Sequence, residues 1–366
     1  MQLPSLKIRD VIRPCPVIQG GMGVGISLSR LASAVSHEGG LGTISSAALD
    51  RLVSKALGRK VSTREAAAHE VAESKKGGEP VAINIMVALE STYADSVLGS
   101  LDAGVDAIIS GAGLPLALPA LANDHPNGNK TALVPIVSSG RALRIICKRW
   151  QKLGRLPDAA VVEGPLAGGH LGWKTTDEIF SPEARLENIL PECLEVAKEF
   201  GGFPIIAAGG IFTHEDIVRY IAMGASGVQM GTRFLATEES GASERFKKAV
   251  VECEEKDILI ATQPGSPCGL PFRILNNSPM FLETLRGMRK TICDKGYAML
   301  GGKCAARELP DRFFCICNGL LSSAGFEPGK EPELYTVGAL AGMVDRIMSV
   351  ADLMKELCGT AATQES

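Results

Sequence analysis

Eight short apolar runs, spaced so that an amphipathic helix fits between most neighbours, constrain this chain more than any other feature. They lie at 16–19, 41–45, 81–87, 107–110, 133–137, 159–163, 204–207 and 227–230. Apolar residues recur at helical spacing over 28–38, 93–103, 190–200 and 214–223, with glycine near several C-terminal ends. Strand alternating with helix eight times predicts an α/β protein, a (β/α)8 TIM barrel. A doubly wound open sheet carries the same local signals, and the strand count favours the barrel. After Arg233 the pattern becomes helix-rich and irregular, notably over 263–279 and 300–332, where much of the proline lies. The expected division is a barrel over 1–240 and a C-terminal helical and irregular cap with a Cys-rich segment over 241–366.

Composition excludes several classes. The 366 residues are 45% hydrophobic and 22% charged, enough to bury a large core, which rules out a disordered or fibrous protein. Basic and acidic residues number 38 and 41, for a formal net charge of -3 without long single-sign runs. Nothing there suggests a nucleic-acid or anionic-membrane partner, and a small-molecule substrate, neutral or anionic, is expected. The first residues lack an apolar core and a small-residue cleavage site, and no apolar run reaches membrane-spanning length, which reads as a soluble cytoplasmic chain. A homodimer is compatible with the sequence. Ten cysteines without a secretory signal point to thiols, a metal site or redox chemistry more than to structural disulfides.

The chemistry-bearing residues fall where strands are expected to end, the face on which barrel active sites assemble. Gln19-Gly20-Gly21-Met22-Gly23 ends the first run, where glycines let the backbone approach a flat or phosphorylated ligand. Asn84 interrupts an otherwise apolar run and needs a protein or ligand partner for its amide. The run 159–163 ends in Glu163-Gly164 and opens into Gly168-Gly169-His170, placing an imidazole in a glycine frame. Ala208-Gly209-Gly210 and Gln229-Met230-Gly231-Thr232 end the seventh and eighth runs, where barrels of this kind cradle phosphate. The bland reading of each glycine cluster is a tight strand-to-helix turn.

Taken in order, these motifs, with Ile211 and Arg233-Phe234 after the last two, resemble the nitronate monooxygenase family. That family was formerly called 2-nitropropane dioxygenase and includes the flavin-dependent enoyl-ACP reductase II enzymes. The resemblance covers roughly the first two thirds of the chain and continues more loosely through Ser266-Pro267-Cys268-Gly269-Leu270-Pro271-Phe272-Arg273. It implies a barrel that binds FMN non-covalently, with the phosphate on Gly209, Gly210, Gly231 and Thr232 and the ring edge near Met22, Gly23 and Asn84. Gly21, Glu163, Gly168, Gly169, Ala208, Gln229 and Met230 are expected in the same cofactor site, and His170 matches the family's active-site histidine.

Two chemistries use these parts. In one, an alkyl nitronate passes an electron to the flavin, oxygen re-oxidises it, and His170 orients or neutralises the substrate. In the other, NADH or NADPH reduces FMN, and an enoyl thioester or a quinone is reduced with His170 as donor. No separate dinucleotide fold is visible, so a nicotinamide would have to use the cap and pocket. A non-redox acyl-CoA hydrolase or lyase on the same barrel is a third option. Cys293, Cys304, Cys315 and Cys317 are a candidate set for zinc or an iron-sulfur cluster, although their spacing is not a paired Cys-x-x-Cys pattern and buried thiols are the ordinary alternative. Glu163 either tunes the histidine or bonds backbone at a strand end. Trp173 either walls the pocket or packs in the core, and His37, His69, His125 and His214 read as surface or capping groups.

Overall fold

The apolar runs form strands because each must be covered on both faces, which only a sheet wrapped in helices allows. In the computed structural model, which describes residues 3–288, 303–326 and 329–359, they become β1 (Val17–Gln19), β2 (Gly42–Ser45), β3 (Val81–Met86), β4 (Ala107–Gly111), β5 (Ala132–Val137), β6 (Ala160–Glu163), β7 (Ile205–Ala208) and β8 (Gly227–Met230). All eight belong to one parallel sheet in the order β1-β8-β7-β6-β5-β4-β3-β2. The Gln19 N–H donates to Leu41 O at 3.0 Å and the Leu41 N–H to Val17 O at 2.9 Å. These bonds join β1 to the start of β2 and close the barrel.

Alternation along the strands sorts the core into two shells. Ala82, Ile109, Val134, Val161 and Ile206 pack together inside the barrel, with Leu6, Ile8 and Val11 of an N-terminal hairpin closing its lower end. Their neighbours Ile83, Ile108, Leu133, Val162 and Ile205 face the helices. Those helices are α1 (Ser29–His37), α2 (Leu49–Leu57), α3 (Thr63–Ser74), α4 (Glu90–Asp102), α5 (Leu118–Asn123), α6 (Gly140–Gln151), α7 (Leu186–Glu199) and α8 (His214–Ala222). Several begin on a side-chain cap, including Ser62, Ser139 and the Thr213/Asp216 capping box. The TIM barrel expected from the strand count is therefore the observed fold, with strand bounds within a residue or so of those read from the sequence.

The segment beyond β8 does more than cover the barrel. Its last described helix, α9 (Val350–Cys358), packs between α8 and α1, and Val350, Leu353, Met354 and Leu357 join the core between strands and helices. The helix that completes the ring thus lies beyond residue 240. Residues between β8 and α9 supply an antiparallel pair, β9 (Ile258–Ala261) and β10 (Phe272–Leu275), above the barrel mouth. Cys15, ahead of β1, and Cys358, at the end of α9, form a disulfide with a Cα–Cα distance of 6.0 Å. For this pair the expectation of thiols does not hold, because docking α9 brings together residues 343 apart in sequence. Among the described residues no helix is long and apolar enough to cross a membrane.

If α9 is part of the barrel, truncating its buried face should cost as much as truncating the core elsewhere. Leu353→Ala is expected to destabilise the protein by about 2–5 kcal/mol, measured by denaturant unfolding. A cost within the range of exposed surface positions would show that α9 is only an appendage.

Candidate active site

Strand parity places the polar residues. Val162 and Val228 face the helices, so Glu163 and Gln229 turn inward at the C-terminal ends of β6 and β8, flanking Ala208 of β7 in register. Asn84 turns inward from β3 by the same alternation between Ile83 and Ile85. All three open onto a cavity of about 600 Å³ at the barrel mouth, within the usual span of ligand pockets, roughly 300–1,000 Å³. Among the described residues Gln229 Oε1 is buried there without a hydrogen-bond partner. The Asn84 amide and the Glu163 carboxyl likewise have no side-chain hydrogen bond among the described residues.

Loops fill in the wall. Gln19 does not line the cavity; it braces the glycine loop from behind, its Nε2 donating to Ser27 Oγ at 2.8 Å while its Oε1 accepts the Thr43 N–H at 3.0 Å. Ser27 Oγ in turn accepts the Met22 N–H at 2.9 Å. Gly21 lies so close to Asn84 that an added Cβ would overlap the Asn84 side chain. After β7, Gly209 and Gly210 have φ of +88° and +80°, and a Cβ on Gly209 would come within 2.8 Å of Gly164 O. At Gly231 an added Cβ would meet nothing nearer than Met22 Sδ at 3.7 Å, so that stretch of backbone is open. Thr232 Oγ1 accepts the Gly338 N–H at 2.9 Å, tying the end of β8 to the cap. Every residue assigned from sequence to the cofactor site lines this one cavity.

His170 is held by the cap. Gly169–His170 forms a short strand paired with β10, opposite Arg273 and Phe272, and the imidazole meets the Phe272 ring edge-on at 4.6 Å. Its Nε2 lies 2.8 Å from Cys268 Sγ, which lies 2.7 Å from Ser266 Oγ. Burial pushes the imidazole down to about 4, so it is uncharged at neutral pH. Burial also pushes the Glu163 carboxyl up to about 7, against the pull of Arg273, and lowers the Arg273 guanidinium to about 10. Arg273 is buried and donates to the Pro165 and Ala167 carbonyls of the loop that leads to His170.

Of the two roles open to Trp173 it takes packing, beside Ala167, Leu171 and Ile179, and it does not line the cavity. Cys304, Cys315 and Cys317 are buried, the last two in the apolar cluster around Phe272 and Phe314, and among the described residues no group of three or more His, Cys, Asp or Glu side chains is placed to hold a metal ion. Cys293 lies outside the described residues. His125 bonds Asp102 and the Asn127 N–H, and His214 bonds Leu357 O, in keeping with structural roles. Missed from sequence were the roles of Arg273, Ser266 and the cap residues Thr336, Val337 and Gly338, which reach the cavity from more than a hundred residues beyond Thr232. Only the 266–273 stretch carried a signal, as the looser end of the family resemblance.

The chain can be set beside known proteins. A family model described as nitronate monooxygenase matches residues 6–360. A probable nitronate monooxygenase of Staphylococcus haemolyticus is 37% identical over 130 residues, 35% of this chain and 34% of that protein. One from Staphylococcus aureus is 37% identical over 103 residues, 28% of each chain. The aligned stretch thus spans about a third or less of the length of these curated relatives. Among solved structures, FabK from Thermotoga maritima superposes with a TM-score of 0.67 at 25% identity, over 94% of this chain and 91% of that one. Nitroalkane oxidase from Streptomyces ansochromogenes gives 0.66 at 22% identity, over 94% and 95%. These likenesses speak to the fold.

Glu163 makes a test of the site's electrostatics independent of any ligand. Its carboxyl is raised on folding, so its stabilising contribution is present below about pH 4.5 and is lost as pH rises through about 7. Glu163→Gln removes the cost of ionising it in place. The variant is expected to exceed wild type in stability above pH 7 by up to roughly 3 kcal/mol, the gap closing toward pH 5. Denaturant unfolding of the ligand-free protein at pH 5 and pH 8 checks this, and a pH-independent gap contradicts it.

Proposed function

The chain belongs to the nitronate monooxygenase family, and from that premise we propose that it is an FMN-dependent oxidoreductase acting on alkyl nitronates, with His170 beside the flavin. The observation that carries this reading is the partnerless Gln229 Oε1, buried in a glycine-lined cavity that His170 shares. The residues present fit the cofactor. Gln229 Oε1 is an acceptor suited to a ring N–H, and Asn84 offers an amide to the same cavity. The left-handed Gly209-Gly210 pair and the open backbone at Gly231 suit a phosphate, with the Thr232 hydroxyl proton still available to it. Bound there, FMN would supply the electron transfer.

The protein's own part is positioning. An uncharged His170 does not neutralise an anionic substrate by carrying charge; it orients one by hydrogen bonding through a ring nitrogen. Phe272, Leu270 and Leu340 add apolar surface to the cavity wall, which would limit water at the reacting face. A second reading, nicotinamide-dependent reduction of an enoyl thioester, draws support from a further apolar wall formed by Ala47, Ala48, Leu89, Ile316 and Leu320, which offers more surface than a small nitronate covers.

Anaerobic spectra of FMN-reconstituted protein, titrated separately with an alkyl nitronate, NADH and NADPH, distinguish the two. Bleaching by the nitronate with recovery in air is expected. Bleaching by a nicotinamide alone replaces this reading with the reductase, and failure to retain FMN overturns both. Gly209→Ala is expected to weaken FMN binding at least about tenfold, or about 1.4 kcal/mol. His170→Ala should retain the flavin and lose roughly a hundredfold or more in kcat/KM.

A further inference from the structure

His170 meets the cap through a side-chain hydrogen bond. Cys268 sits on the 262–271 loop, which is pinned on both sides: the Gly265 N–H donates to Arg312 O at 2.8 Å, the Gly269 N–H to Ser266 O at 3.1 Å, and the Leu171 N–H to Pro271 O at 3.0 Å. The thiol is therefore fixed against the ring that the barrel presents. Its Sγ lies 2.8 Å from His170 Nε2 and 2.7 Å from Ser266 Oγ.

Of the two directions in which the proton chain can run, one leaves a ring N–H for the cavity. In it, Ser266 Oγ, which accepts the Cys268 backbone N–H at 3.4 Å, donates its own proton to Sγ. A sulfur that accepts from Ser266 has its S–H for Nε2. A neutral imidazole carries one proton, and with Nε2 accepting, that proton is on Nδ1. No described residue makes a hydrogen bond to Nδ1, which leaves it for a ligand in the cavity that His170 lines. We propose that Cys268 is a positioning residue: its thiol, oriented by Ser266, locks His170 in the Nδ1–H tautomer and turns a ring N–H donor toward the substrate.

This assigns a use to a cysteine that would otherwise be read as packing under the cap. It also explains why β10 pairs with the two-residue strand Gly169–His170. That pairing fixes the backbone of the histidine, and Cys268 fixes its ring. Neither removal of the sulfur, as in alanine, nor loss of the loop would keep both. An oxygen in place of the sulfur would, since a hydroxyl also donates one proton and accepts another.

The role in turnover rests on the oxidoreductase reading above, whereas the tautomer does not, so the two are tested apart. Nitrogen-15 histidine spectra of the full-length protein, recorded with and without added FMN, contain five histidines, and His170→Gln identifies the one of interest. Wild type is expected to show a protonated Nδ1 and an unprotonated Nε2, Cys268→Ser to keep that pattern, and Cys268→Ala to shift toward a mixture of tautomers. In nitronate turnover, Cys268→Ala should lose roughly tenfold in kcat with KM little changed, and Cys268→Ser should recover most of the loss. An Nε2–H tautomer in wild type, or a His170 spectrum unmoved by Cys268→Ala, overturns the proposal. Should Cys268→Ala not fold, wild type and Cys268→Ser still decide it. A correct tautomer pattern with no nitronate activity overturns the substrate assignment and leaves the tautomer standing.

Discussion

The site depends on one buried cation. Arg273 belongs to the cap strand β10, yet its guanidinium donates to two carbonyls of the loop after β6, and its charge acts on Glu163 at the end of β6 itself. A buried guanidinium has lost its water and must find acceptors in the protein. Here the acceptors are the backbone that leads into Gly168-Gly169-His170. The same requirement that keeps Arg273 satisfied therefore fixes the approach of the histidine, and it does so across the junction of barrel and cap.

Around that junction the interior changes character with height. The lower barrel is filled by alanine, valine and isoleucine and closed by the hairpin, as a packed core should be. At the upper level the inward positions become Asn84, Glu163 and Gln229, and a buried oxygen goes without a partner. Unsatisfied polar groups are costly in a finished interior. Two non-glycine residues with positive φ, Ala48 and Ala112, also lie on this cavity, and local strain of that kind gathers where a protein is built around a ligand.

Much of this was legible in the chain itself. Eight apolar runs were enough for the barrel, because a strand covered on both faces leaves a continuous signal, and Asn84 stood out as polar where only apolar residues belong. Gly209 and Gly210 were readable as a turn that side chains would obstruct. What escaped notice depends on contacts between distant segments. Cys15 and Cys358 give no hint of each other in spacing. The thiol of Cys268 meets His170 only because β10 pairs with a strand two residues long, a length that leaves no periodicity to detect.

The position of α9 has a consequence for synthesis. Barrel strands and eight of the helices described are made before residue 236, but the helix that covers the groove between α8 and α1 is encoded after residue 349. At a translation rate of roughly 5–20 residues per second, the intervening stretch takes on the order of 6–20 s to make. During that interval the apolar groove that Leu353, Met354 and Leu357 will cover is open on the ribosome. On a nascent chain of this design that groove stays uncovered until α9 has been made.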